Sequence, residues 1–318
     1  MILGTGFILS LVDAFLLKSA IFIYILSKVV LGKYNKIMAD NQTKKVDYKE
    51  LIKQEYIKCA QSPIYFMRRF CYIQHPVRGR ILFALYPFQE KVLQLFQDSE
   101  NIIVLKSRQL GISTLAAGYS LWLMLFHRDK NILCLATTQA TARNLVTKVM
   151  FMYDNLPKWL QVPAKEKNKL SMRLANGSMI SAVSSNPESA RSSAVSLLLV
   201  DECAFIDNIE TTMTAALPTL STGGQVMLLS TPNGIGNFFH KTWVKAEMGE
   251  NSFIPVRLPW QVHPERDQSW RDQQDADMGK RQAAQECVDG STLVTVKDTD
   301  TGKIFECTLE ELYGIVDC

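Results

Sequence analysis

The sequence predicts an α/β protein built on a doubly wound, mainly parallel sheet, with a helical lead-in and a small β tail at its carboxy-terminal end. Three stretches carry that prediction. Ile102-Ile103-Val104-Leu105 is a short apolar run rich in β-branched residues, followed by a polar loop and then by Leu115 to Leu125, which reads as a largely buried helix. Asn131 to Ala136 and Val195 to Val200 are further short apolar runs, the second ending in the adjacent carboxylates Asp201 and Glu202. Gln225 to Leu229 is a fourth, ending in Ser230-Thr231-Pro232. Runs of this length without polar alternation are what strands buried on both faces of a parallel sheet require, and helical patterns separate them.

Composition sets the outer bounds. The chain of 318 residues is 47% hydrophobic, ample for a sizeable core, and carries a formal net charge of +4, which permits nucleic-acid binding without demanding it. Its seven cysteines contain no C-x-x-C pair and its four histidines are dispersed, which argues against a disulfide framework and against a cysteine- or histidine-based metal site. Phe7 to Leu31 is long and apolar enough for a membrane span, yet Asp13, Lys18 and Lys28 interrupt it and no clear signal-peptide cleavage pattern is present. Residues 1–37 therefore read as an upstream extension before an ordinary start at Met38-Ala-Asp-Asn, in preference to a marginal anchor.

The loop after the first strand is the phosphate-cradling unit of P-loop NTPases in outline, strand then glycine-containing loop then helix. Against G-x-x-x-x-G-K-[ST], Gly111 holds the second glycine position and Ser113 the hydroxyl position. Lys106 stands where the first glycine belongs and Ile112 where the lysine belongs, so the bare motif fails. The acid pair restores the case. In parallel sheets ligands collect at the carboxyl ends of strands. Asp201 there would hold Mg²⁺ with Ser113, and Glu202 would polarise the water that attacks a γ-phosphate. Ser230 and Thr231, small hydroxyls at the next strand end, would sense that phosphate.

Elsewhere, Asp47 to Phe70 has helical spacing, Tyr86-Pro87-Phe88-Gln89 opens a helix, and Leu170–Leu174 with Ser178–Val183 reads as a hairpin around Asn176-Gly177. Ser184 to Ser193 is a polar loop containing Arg191, and Trp243 to Glu286 reads as polar and helical. A glutamine such as Gln89 can pair with both donor and acceptor of an adenine edge, although alone it reads as a solvated helix-start residue.

Four separated motifs in this order resemble the large terminase subunit of tailed bacteriophages: Tyr86-Pro-Phe-Gln, Ser107-Arg-Gln-Leu-Gly-Ile-Ser-Thr, Val200-Asp-Glu-Cys-Ala-Phe and Leu229-Ser-Thr-Pro-Asn-Gly. The resemblance covers roughly residues 49–286 and places an ATPase domain over 38–240 and a linker toward a nuclease over 241–286. It implies an ATP-driven motor that moves double-stranded DNA into the procapsid, acting as a ring with portal protein and small terminase subunit, in the host cytoplasm at the portal. It implies ATP and Mg²⁺ as cofactors. The displaced Lys106 is implied as the phosphate-binding lysine, reaching the β/γ-phosphates from the start of the loop. Arg108 is implied as a cis arginine finger, Gln89 as the adenine reader, and Ser107, Arg108, Gln109, Leu110, Gly111, Ile112, Ser113 and Thr114 as the phosphate loop. A helicase-like ATPase is the rival reading, weakened by Ile112 and by the lack of room for a second RecA-like half.

At Cys287 the sequence departs from the family pattern. Cys287-Val-Asp-Gly-Ser-Thr-Leu-Val, then two alternating runs at Thr292–Val296 and Lys303–Cys307 around Asp-Thr-Gly, resemble the amino-terminal block of an intein. That resemblance implies Cys287 as nucleophile, Glu286 as the last extein residue, and 287–318 as an intein fragment that awaits a complementary half. No nuclease activity is then expected from this chain alone, and the ATPase part would be inactive until spliced in one variant of this reading. The bland alternative is a divergent start of the nuclease domain.

Overall fold

The computed structural model describes residues 27–33, 48–183, 194–220, 223–288, 293–297 and 302–308. Most of the apolar segment 7–31, the loop with Arg191 and the residues after the final hairpin lie outside these. The chain divides into a unit ending at Gln54 and a larger one beginning at Glu55. In the first, residues 27–33 are helical and exposed, and among the described residues no helix is long and apolar enough to cross a membrane. Helix α1 (Tyr48–Gln61) starts in this unit, where Lys53 and Gln54 reach back to Glu50 one turn earlier.

The second unit holds the sheet. After α1 come α2 (Pro63–Phe70), the hairpin β1 (Tyr72–His75) and β2 (Gly79–Leu82), and α3 (Pro87–Asp98). The core alternates β3 (Asn101–Lys106), α4 (Ile112–Phe126), β4 (Asn131–Leu135) and α5 (Gln139–Asp154), then β5 (Ala164–Lys167), β6 (Ser171–Leu174), β7 (Met179–Ala182) and β8 (Leu197–Asp201). It continues through α6 (Ile209–Leu220), β9 (Gln225–Ser230), α7 (Phe238–Glu247), β10 (Ile254–Leu258), α8 (Gln268–Met278) and α9 (Lys280–Cys287), and ends in β11 (Leu293–Lys297) and β12 (Ile304–Thr308). Eight strands form one sheet in the order β10-β3-β9-β8-β4-β7-β6-β5. The six from β10 to β7 are parallel, and β6 and β5 extend the sheet antiparallel.

The unbroken apolar runs are explained by the two faces they feed. Ile102, Val104, Ile132, Cys134, Leu197, Leu199, Met227 and Leu229 pack with α2, α3, α4 and α5. Their neighbours Ile103, Leu133, Leu135, Leu198, Val200, Val226 and Leu228 pack with α6 and α7 through Ile209, Met213, Phe239 and Trp243. Period-two alternation thus serves two apolar layers at once. Helix α4 is buried nearly all round, as its uniformly apolar sequence requires.

The expected strands and the Asn176-Gly177 hairpin are present, with Gly177 at φ +88°, where a side chain would collide with Asp129. So is the tail hairpin, in which Leu293 pairs with Thr308 and Lys297 with Ile304. The polar, helical reading of Trp243 to Glu286 misses β10, which pairs with β3 in the main sheet. It is an edge strand containing Pro255 and Arg257, and edge positions relax the demand for apolar alternation.

Candidate nucleotide site

The sheet order brings the polar strand ends together. Strand β9 lies between β3 and β8, so Ser230 stands between the loop that leaves Lys106 and the pair Asp201-Glu202. Lys106 is buried, with its ammonium 2.9 Å from Oε1 of Glu202. Thr231 donates to the other oxygen of Glu202 at 3.5 Å. Ser230 accepts from the amide of Ala204 at 3.1 Å, and Asn233 donates to the Ala204 carbonyl at 3.0 Å. The segment after β9 therefore holds the segment after β8 at three points. Glu202 occupies the left-handed region at φ +54°, a conformation unusual outside glycine and typical of a constrained turn.

Asp201 is buried, and burial pushes its carboxyl above the usual carboxylate range. Lys106 opposes that shift, Glu202 adds to it, and a hydrogen bond to Ser113 opposes it further. The Ser113–Asp201 contact suits a divalent cation in its chemistry. One hydroxyl and one carboxylate form the protein's share of an Mg²⁺ site that is completed by phosphates and water. Among the described residues no group of three or more His, Cys, Asp or Glu is placed to hold a metal. A cation at Ser113 and Asp201 would therefore depend on nucleotide oxygens for its remaining ligands.

The loop itself is shaped by two left-handed residues, Gln109 at φ +59° and Gly111 at φ +74°, the latter capping α4. The amides of Ile112, Ser113 and Thr114 lie in the first turn of a fifteen-residue helix, where backbone N–H groups have no helical partner and the helix dipole favours an anion. Ile112 is fully buried in the core, so its side chain takes no part in the site. Gln89 is buried too, and its amide is engaged at both ends. Oε1 accepts from the Tyr86 amide at 3.0 Å, and Nε2 donates to the Leu110 carbonyl at 2.9 Å. A Cβ on Gly111 would lie 2.7 Å from that Nε2. Gln89 thus props the phosphate loop, a task the sequence does not show, and one amide proton remains for other use.

Arg108 is the expected site residue that the structure directs elsewhere. Its side chain is exposed and ion-paired with Glu286, while its amide donates to the Glu286 carbonyl at 2.9 Å. Arg266 clasps the same loop, donating to Ser107 Oγ at 3.1 Å and to the Arg108 carbonyl at 2.9 Å, with its guanidinium 4.3 Å from the Trp270 ring. Gln285 donates to the Pro232 carbonyl at 2.8 Å. Burial raises the Glu286 carboxyl; Arg108 and Lys106 oppose this and Glu202 adds to it, so Glu286 lies within the electrostatic reach of the site. Lys148 on α5 is a further cation here, half-buried and facing Asp201 and Lys106, and burial lowers its pKa. Cys287, the last residue of α9, is buried. Lys148 carries no motif of its own, and the sequence assigns Glu286 and Arg266 no part in this site. Only the tertiary fold brings them in.

This geometry has relatives. The model of the family described as terminase large subunit, T4likevirus-type, N-terminal, matches residues 103–306. The chain belongs to the terminase large-subunit family. The match runs past Cys287. Among solved structures, the large terminase ATPase domain of Thermus phage P74-26 superposes with a TM-score of 0.53 at 19% identity, over 60% of this chain and 88% of that one. The large terminase of another thermophilic bacteriophage, in complex with ADP, gives 0.54 at 14% identity, over 67% of this chain and 55% of that one. The HK97 bacteriophage large terminase gives 0.52 at 18%, over 68% and 47%. A Mu-like prophage protein, FluMu gp28 of Haemophilus influenzae, is 34% identical over 79 residues, a quarter of this chain and 15% of that protein. The chain thus spans about half the length of the whole large terminases it matches.

Gln89→Ala leaves the Leu110 carbonyl and the Tyr86 amide without their side-chain partner. Each orphaned buried group costs about 1–3 kcal/mol. Urea unfolding of this variant should show a loss in that range, whereas Lys91→Ala on the exposed face of the same helix should change stability by less than about 0.5 kcal/mol. Equal stability of the two variants would mean that the prop is not needed.

Proposed function

We propose that this terminase domain hydrolyses ATP with Mg²⁺ and that the whole protein uses the energy to move double-stranded DNA into a procapsid, with portal protein and small terminase subunit as partners in a ring. The observation that carries the reading is the cluster of Lys106, Glu202, Asp201 and Ser113 at adjoining strand ends, with Ser230 and Thr231 between them.

The roles follow from charge and position. The amides at the start of α4 and the ammonium of Lys106 bind the phosphates, Lys106 leaving Glu202 to do so. Ser113 and Asp201 would hold Mg²⁺, which when bound would supply neutralising charge to the phosphates. Glu202, released from Lys106, accepts a proton from the attacking water. Thr231, within reach of Glu202, registers the change at the γ-phosphate and passes it through Pro232 and Asn233. Arg108 leaves Glu286 and stabilises charge spreading over the transferred phosphoryl oxygens. The remaining amide proton of Gln89 is directed to the adenine edge.

The displaced lysine gives a clean test. Lys106→Ala should abolish ATP turnover, while Ile112→Ala should act only through packing. Turnover near that of the parent in Lys106→Ala would remove the case for this loop. Glu202→Gln tests chemistry apart from binding. It should retain affinity for ATP-Mg²⁺ measured with a fluorescent nucleotide and hydrolyse it at least about 100-fold more slowly, the usual contribution of a general base. Binding and turnover falling in equal measure would make Glu202 a structural residue.

We further propose that Cys287 begins an intein fragment. Support comes from the run Cys287-Val-Asp-Gly-Ser-Thr-Leu-Val and from the β11–β12 hairpin that follows, and the match of the terminase family model through residue 306 supports the alternative that the tail belongs to the terminase. Arg266 lies within electrostatic reach of Cys287. In the reaction Sγ bonds to the Glu286 carbonyl carbon, the C–N bond to Cys287 breaks, and the freed amine takes a proton, which yields a thioester. That bond ends a helix here, so the last turn of α9 must open first. Mixing the chain with a matching intein half fused to a nuclease domain should give a ligated product lacking 287–318, and Cys287→Ala should block it. A product retaining Val288 onward by intact mass, or ligation in Cys287→Ala, would assign the tail to the terminase.

A further inference from the structure

A solvent-open groove of about 590 Å³ lies toward the edge of the sheet remote from the phosphate loop. It is lined by Arg143, Thr147 and Met150 of α5 and by Lys167, Asn168 and Lys169 at the β5–β6 turn. Six strand spacings separate β3 from β5, about 29 Å, so the cations of the β5–β6 turn, Lys167 and Lys169, stand well apart from Lys106. From the proposed function this inference takes the identity of the substrate, and nothing else.

We propose that this groove grips the phosphate backbone of the double-stranded DNA. Charge points there first. Residues 143–173 contain seven lysines and arginines against two carboxylates, a net +5, whereas the whole chain is +4, so the other residues balance to −1. The segment that builds this groove is thus one of two strongly basic stretches, the other being residues 28–80 with twelve lysines and arginines against four carboxylates. Of the two carboxylates, Asp154 is tied to Lys167 and Glu166 lies 3.8 Å from Arg173. Among the described residues neither Arg143 nor Lys169 has a carboxylate within ion-pair distance.

The kinds of side chain agree. Arginine, lysine, asparagine and threonine are the side chains that bind phosphate and sugar oxygens. None of the six lining residues is aromatic, so the groove offers no platform for stacked bases of a single strand. The turn that carries Lys169 is also built rather than loose. Asn168 Oδ1 accepts from the amides of Leu170 and Ser171 at 2.9 and 3.0 Å, and its Nδ2 donates to Ser171 Oγ at 2.8 Å.

A lysine-rich edge strand also guards against sheet-to-sheet pairing, and β5, exposed along its whole length, has that character. Edge protection does not account for Arg143 and Thr147, which sit on a helix. That helix offers a reason for the location. Thr147 lines the groove, and the next residue, Lys148, faces Asp201 and Lys106. One rigid element therefore touches both the backbone groove and the phosphate site.

The test is duplex binding by the full chain, read by fluorescence anisotropy over a range of salt concentrations, without nucleotide so that a failure of ATP hydrolysis does not affect it. For each phosphate no longer neutralised by the protein, the slope of log K against log salt falls by about 0.9. Arg143→Glu/Lys169→Glu should weaken binding at least about tenfold and lower the slope by about 2, while the charge-matched pair Lys91→Glu/Lys245→Glu should change neither. Arg143→Gln/Lys169→Gln, which reverses no charge, should lower the slope similarly with an unchanged melting temperature. ATP turnover without DNA should be the same in all. Equal loss in the two charge-reversal pairs, unchanged binding in the groove variants, tighter binding of a single strand than of duplex, or no duplex binding by the parent chain would each overturn the assignment. Absence of turnover in the parent with normal duplex binding would instead overturn the ATPase reading and leave the groove standing.

Discussion

Lys106 and Glu202 are held together at the strand ends of a parallel sheet, the lysine buried and the glutamate partly exposed, and much of the site's construction follows from that pairing. A buried ammonium without an opposite charge is costly enough that the fold must supply one. Glu202 supplies it, but only from a left-handed backbone conformation that turns its carboxylate back across β9. Holding that conformation requires the fixings from Ser230, Thr231 and Asn233. Asp201, driven toward its neutral form by burial, is kept in play by Lys106 and Ser113. In this state each charged group therefore uses a neighbour as the counter-ion that nucleotide and metal would replace. Under the proposed function the pair stands in for bound substrate, and binding would exchange one set of charge contacts for another.

The same logic extends to the far side of the loop. Helix α9 presents Glu286 to Arg108 and Gln285 to Pro232, and Arg266 just before α8 holds Ser107 and the Arg108 carbonyl. The phosphate loop and the segment after β9 are thus both tied to the residues that precede Cys287. A carboxylate on an arginine is the nearest protein equivalent of a phosphate oxygen on that arginine. If Arg108 is to face a γ-phosphate its side chain must give up Glu286, and the end of α9 is then left with the Arg108 amide and the Pro232 carbonyl as anchors.

How much of this the sequence discloses depends on the range of the interactions. Strands buried on both faces announce themselves, because each position must be apolar whichever way it points, and β3, β4, β8 and β9 fall where the runs lie. The acid pair and Ser113 are legible for a related reason, since they stand at positions fixed by strand ends and by the first turn of a helix. Strands β5 and β10 are not legible. One is Ala-Lys-Glu-Lys, wholly exposed, and the other is an edge strand with a proline. Their membership of the sheet comes from neighbours distant in sequence. Lys148, Arg266 and Glu286 are invisible for that reason too. Gln89 is the instructive middle case. Its place before the phosphate strand is legible and suggests adenine, yet its two hydrogen bonds, one of them to Leu110 twenty-one residues on, belong to loop support.

Gln89 and Glu286 bear on the loop from opposite sides, and this difference sets what can move. Gln89 binds the Leu110 carbonyl from within the core, fully buried, so that half of the loop is fixed with the helix behind it. Arg108 and Gln109 are exposed, and the Arg108–Glu286 pair is open to solvent on the arginine side, where a charge pair contributes little net stability. The loop is therefore fixed at Leu110 by Gln89 and around Arg108 by Arg266 and the Glu286 carbonyl, and only the arginine side chain is weakly held. Under the proposed function, a nucleotide meeting the loop would recruit Arg108 by displacing its side-chain ion pair with Glu286, and the backbone bonds from Arg266 and to the Glu286 carbonyl would keep the loop in place meanwhile.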